Sequence, residues 1–149
     1  MATPTRLDFQ PLLRVEFRSG GTDPATGLDC RGLCAEVLRR AGFVVPPSAF
    51  PTDEQVQERL PAWLAASAGR DGCPWQLLGR HAGCASQVGD VVYSCADGVH
   101  HHLDVLVSSE RPKVFLEAFA PHGRRAGGVR AIALSRIRGV LGVYRLLQP

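Results

Sequence analysis

Along the first third of the chain apolar positions recur at helical spacing, and along the last third they alternate in short runs. In "LDCRGLCAEVLRRAG", Leu33, Cys34, Val37, Leu38 and Ala41 fall on one helical stripe, while Arg31, Glu36, Arg39 and Arg40 fall elsewhere. Asp29 is placed to cap this helix and Gly42 to end it. Ahead of it the loop Ser19–Asp29 carries Gly20, Gly21, Pro24 and Gly27, and residues 1–12, with Pro4 and Pro11, read as an extended arm. "VVPPSAFP" reads as an extended connector. "TDEQVQERLPAWLAASAG" predicts a second helix, capped at Thr52 or Asp53 and bent near Pro61. Residues 69–88 read as irregular, with at most one helical turn at "PWQLLG".

From Gly89 onward "DVVYSC", "HLDVLVSS", "KVFLEAF", "VRAIALS" and "GVLGVYRLL" are β-rich runs separated by turn-forming residues. Helices followed by strands predict an α+β fold, with an antiparallel sheet of about five strands packed on the early helices. At 149 residues the chain is expected to form a single domain, residues 1–149, large enough for its own core.

Composition narrows the partners. Hydrophobic residues make up 45% and charged residues 21%, and the net charge is +3. The cations are almost all arginine, with Lys113 the single lysine, and they are scattered rather than clustered. Neither a basic face nor a nucleic-acid reader motif is visible, so no nucleic-acid partner is expected. No segment has the length to span a bilayer, and "MATPTRLDFQPLLRVEF" lacks the pattern of a signal peptide. Synthesis in the cytoplasm is the expectation, and with it five free cysteines rather than disulfides.

Cys30 opens the first helix. Unpaired N–H groups and the helix dipole favour negative charge there, so a lowered thiol pKa and an oxyanion-binding amide are expected at that position. Position alone does not separate a nucleophile from an ordinary buried cysteine, which is the reading given to Cys34. A nucleophilic cysteine needs a histidine and a third polar group. In "VHHHLDVLV" strand alternation sets His100, His102 and Asp104 on one side and His101 on the other. A hairpin of residues 102–107 with 112–117 that sets His102 opposite Glu117 brings a carboxylate within reach of the imidazole. His122 is the alternative third residue if the register differs, and His101 the alternative base. A zinc site built from Cys84, Cys95 and the histidine cluster is a further reading, although the cysteine spacing does not match the usual close pair. Cofactors are not otherwise indicated. Trp63 and Trp75 read as core anchors.

Taken together, "FRSGGTDPATGLDCRGL", "VGDVVY", "HLDVLV" and "KVFLEAF" resemble, in that order, the motifs of the NlpC-type cysteine peptidases, over roughly residues 17–144. The resemblance implies a papain-like fold and hydrolysis of peptidoglycan stem peptides, at the bond between D-glutamate and diaminopimelate. It implies Cys30 as nucleophile, His102 as general base and Glu117 as the residue that orients the imidazole. Asp29 and Gly32 match the flanks of the nucleophile, and Phe17 and Arg31, with Asp29, the substrate and oxyanion side. The "TGLDC" form is similar to the subgroup attached to phage tails, which implies tail-tip partners and delivery to the periplasm by the particle. Three positions depart from the pattern. Arg31 replaces a serine, Asp104 replaces a small residue, and Phe17 replaces a tyrosine whose hydroxyl can serve the oxyanion. Loss of such a donor costs on the order of a hundredfold in rate.

Overall fold

The computed structural model describes residues 2–50, 74–98, 101–124 and 126–148. A glycine-rich ribbon comes first, with β1 (Thr22–Asp23) antiparallel to β2 (Gly27–Leu28). It leads directly into α1 (Cys30–Arg40). The main sheet follows: β3 (Trp75–Gly79), β4 (Val91–Ser94), β5 (His102–Ser108), β6 (Val114–Phe119), β7 (Gly128–Ala133) and β8 (Val140–Leu146). The order across it is β3-β8-β4-β5-β6-β7, and every neighbouring pair is antiparallel. The fold is α+β.

Alternation along the strands divides the apolar residues between two cores. On one face Val91, Tyr93, Leu103, Val105, Leu116 and Tyr144 pack with Leu33, Cys34, Val37 and Leu38 of α1. On the other, Val92, Leu106, Phe115 and Val143 pack under the 3-10 turns Ala82–Cys84 and Leu134–Arg136, with Ala82, Ala85 and Ile137. Because both faces are covered, all four residues of β4 are buried. Full burial of one such Val, Leu or Phe side chain contributes about 1.5–3 kcal/mol.

The first helix forms as its sequence implies. The Asp29 carboxylate accepts from Gly32 N–H at 2.8 Å, and Gly42, at φ +93°, turns the chain back so that Phe43 N–H reaches Leu38 C=O at 2.9 Å. The second helix expected over 52–69 lies outside the described residues, as do Trp63, Cys73 and His100.

Three expectations are corrected. The main sheet has six strands, the additional one being Trp75–Gly79, where the sequence suggests at most a helical turn. Pairing with β8 overrides the weak local signal, and Trp75, 1% exposed, is fixed by its indole N–H to Ala49 C=O at 3.0 Å. The N-terminal arm is part of the core. Leu7, Phe9 and Leu12 are buried, Leu7 N–H donates to Val107 C=O at 2.9 Å, and a 3-10 helix spans Gln10–Arg14. The β5–β6 register also differs: Asp104, not His102, lies directly opposite Glu117, and a bulge between Leu106 and Ser108 lengthens the connection to residues 109–113.

Candidate active site

At the tip of α1 the ribbon and the helix interlock through Asp29. Its second oxygen accepts from Gly20 N–H at 3.1 Å, and Arg31 approaches the same oxygen at 3.5 Å. A Cβ at Gly32 would stand 2.0 Å from Gly21 C=O, so the helix reaches the loop only because residue 32 is glycine. Phe17 bridges to Leu28, just ahead of the cap, and packs on the α1-side core. Asp29, Arg31 and Gly32 line one wall of a cleft of about 330 Å³ that also touches Gly20 and Thr22. Asp29 and Arg31 flank Cys30 in the chain and line this cleft, whose lining does not include Cys30 or Phe17, and they are also engaged with each other and the cap.

Cys30 is half-buried, and its sulfur accepts the N–H of Leu103, the second residue of β5. Burial, then the Asp29 carboxylate, push the thiol up to about 11, against the smaller opposing pulls of that N–H and of Arg31. The lowered pKa expected from the helix tip is therefore not found. The tip is desolvated, and the cap that completes it is itself an anion. Cys34, one turn on, is fully buried, and its thiol is also raised by burial, as a core cysteine should be.

On β5 and β6 the structure brings His102 and Glu117 together despite the changed register. A shift of two residues keeps a side chain on the same face, and diagonal neighbours remain within reach of an imidazole. His102 Nε2–H donates to Glu117 Oε2 at 3.1 Å, and Arg130 holds the other oxygen, Oε1. Asp104 adds a second carboxylate, with Oδ1 2.9 Å from the same Nε2. Burial by itself would lower the pKa of His102, but the two carboxylates outweigh it and hold the ring up at about 9. Asp104 is raised, chiefly by burial. Burial acts in the same direction on Glu117, but His102 and Arg130 reverse it and lower the net value.

The sulfur and this imidazole meet β5 from opposite sides. Leu103 and Val105 face α1, so His102, Asp104 and Glu117 project from the other face. Among the described residues no hydrogen bond joins Cys30 Sγ to a histidine ring. A working pair requires His102, the first residue of β5, to turn around the strand end toward the Leu103 amide.

The alternatives separate clearly. His122 is exposed, and it is Glu117 that is bonded to His102. His101 is exposed and stacks on Tyr93, with ring centroids 5.7 Å apart and Nδ1 hydrogen-bonded to the Tyr93 hydroxyl. Cys84 lies beside His81, with Sγ 3.5 Å from Nε2, and among the described residues Cys84 and Cys95 do not join the histidines of β5 in a ligand cluster. Sequence reasoning missed Asp104 as a partner of the imidazole and Arg130 as the partner of Glu117. Asp104 was visible two residues after His102, whereas Arg130 depends on β6–β7 pairing that no local pattern encodes. Among the described residues no helix is long and apolar enough to cross a membrane. Comparison of the chain with protein-family models, with curated proteins and with solved structures gives no match, so the resemblance rests on the residues themselves.

Proposed function

We propose that this chain is a papain-like cysteine endopeptidase that cuts peptidoglycan stem peptides at the bond between D-glutamate and diaminopimelate. The observation that carries the reading is one strand start serving both partners. His102 is bonded to Glu117, and the next amide, of Leu103, is bonded to the Cys30 sulfur. In this reading the neutral form of His102, a minor form below about pH 9, takes the thiol proton as sulfur attacks the peptide carbonyl. The imidazole returns the proton to the leaving amine, and a water then hydrolyses the thioester with His102 as base. Glu117 holds the ring in one orientation, and the Cys30 N–H, unpaired at the helix start, receives the oxyanion. By the same resemblance the partners are tail-tip proteins of a phage particle, which would carry the enzyme to the periplasm. The test is digestion of diaminopimelate-containing sacculi by the parent and by Cys30→Ala. The variant should fold and release no new amines, and equal release from both would reject the reading.

A second reading is a tail-assembly or partner-binding module that retains the same framework without turnover. The thiol held at about 11 and the approach of sulfur and imidazole from opposite faces favour it. It requires Cys30 to alkylate at neutral pH more slowly than a free cysteine, and rapid alkylation would rule it out.

A further inference from the structure

The face of the sheet away from α1 holds a donor set that one proton does not satisfy. Two carboxylate oxygens surround His102 Nε2, Asp104 Oδ1 at 2.9 Å and Glu117 Oε2 at 3.1 Å. The three atoms lie within 4.8 Å of one another. A single N–H cannot point at both oxygens. It serves Glu117, and Asp104 Oδ1 is left without a hydrogen-bond partner. Only 3% of the Asp104 side chain is exposed, so bulk water does not make up the deficit. A buried acceptor left unmet in this way is costly and calls for a missing partner.

We propose that His102, Asp104 and Glu117 bind a divalent first-row transition ion of the zinc type. Such an ion replaces the one shared proton by a centre that all three donors can face at once. Zinc takes imidazole nitrogen and carboxylate oxygen at about 2.0–2.2 Å, which sets neighbouring donors roughly 3–3.5 Å apart, close to the two distances from Nε2 here. One imidazole with two carboxylates suits zinc better than calcium or magnesium, which favour oxygen-only shells. Three protein donors leave a position open for water or a substrate oxygen, the pattern of reactive rather than structural zinc sites. His102, with 29% of its side chain exposed, gives the ion a way in, and Arg130 and Arg136 beside Glu117 give an anionic fourth ligand a favourable rim. Arg130, bonded to Glu117 Oε1, fixes which oxygen turns toward His102, the outer support that ligand carboxylates commonly have. Cys30 takes no part in this site, and the ion and the proton relay of the peptidase reading are alternative uses of His102 and Glu117 that exclude each other.

The experiment is calorimetric titration of the tag-free, metal-stripped full chain with Zn²⁺, with Co²⁺ absorption as a second readout and Mg²⁺ as the contrast. The parent should bind one equivalent of Zn²⁺ and respond little to Mg²⁺. Asp104 is buried and its replacement risks the fold, so His102→Ala, at the partly exposed start of β5, carries the test, with circular dichroism as the folding check. His102→Ala and Glu117→Gln should each weaken Zn²⁺ by more than the ~10–100-fold that outer-support changes cost, and Arg130→Gln by about that much. Cys30→Ala should bind as the parent does, which keeps this result separate from the fate of the thiol reading. The proposal is overturned if the parent takes up no stoichiometric Zn²⁺, if His102→Ala binds normally, or if Cys84→Ser abolishes binding instead.

Discussion

Asp29 performs two tasks that can be separated by substitution, and the separation tests the account given for the thiol. Its carboxylate accepts from Gly32 N–H at 2.8 Å and Gly20 N–H at 3.1 Å, and it is the largest charged influence raising Cys30. Asp29→Ala removes the helix cap, worth about 1 kcal/mol, and frees the N–H of exposed Gly20, which water can satisfy at a cost of about 0.5–1 kcal/mol. The sum is about 1.5–2 kcal/mol, or a fall in Tm of roughly 4–8 °C for a chain of this length. Asp29→Asn retains an oxygen for Gly32 but removes the charge, so it should cost about 1 kcal/mol. In both variants the Cys30 thiol should move down from about 11, and alkylation at fixed pH should accelerate. Denaturant unfolding gives the first quantity, and mass-resolved alkylation of Cys30 from pH 7 to 10.5 gives the second. An Asn variant whose Cys30 reacts at the parent's rate across that range would refute the assignment of Asp29 as a cause. An Ala variant as stable as the parent would refute the cap.

Four further substitutions have expected outcomes. Gly32→Ala should destabilise severely or prevent folding, since its Cβ would meet a backbone oxygen at 2.0 Å. Gly42→Ala, in open space but at φ +93°, should cost only about 1 kcal/mol in the same denaturation assay. Arg145→Gln breaks a two-bond contact with Asp90, at 2.8 Å for each bond, under a carboxylate 1% exposed. Asp90 keeps the N–H groups of Ser86 and Gln87, so the expected loss is about 2–3 kcal/mol, at the low end of broken buried pairs, read as a lower unfolding midpoint with unchanged m. On the peptidase reading, Glu117→Gln should lower kcat on a stem-peptide substrate by on the order of 10²–10⁴-fold with little change in KM; a KM effect alone would assign Glu117 to binding instead.

What was legible in the chain was what short-range physics decides. Asp29, Cys30 and Gly42 mark the two ends of α1 because capping and a left-handed turn are local requirements. The parity of β5 and β6 was also legible, since period-two burial sets faces without setting register, and His102 and Glu117 meet even though the pairing slid by two. Residues whose state depends on distant partners were not. Trp75–Gly79 is a strand only because β8 lies beside it, and the N-terminal arm is core only because the Val107 carbonyl at the β5 bulge is free to accept Leu7 N–H.

The thiol shows why chemistry is harder to read than structure. A helix tip lowers a cysteine pKa when water or a cation completes its field. Here the apolar packing of α1 on Leu103, and the anionic cap that makes the helix start at Cys30, act in the opposite direction and win. The same Asp29 that makes the motif recognisable therefore disfavours the thiolate the motif suggests. On the peptidase reading, substrate in the cleft beside Asp29 and Arg31, whose lining stops short of Cys30, would have to draw that carboxylate further onto Arg31, or supply a positive group of its own, before sulfur could ionise near neutral pH. Cys30 in the unliganded chain should then alkylate slowly at pH 7.5, and a stem peptide with a free amino group should accelerate it. A peptide that only shields the sulfur would slow it instead, and that result would remove the cleft from the substrate path.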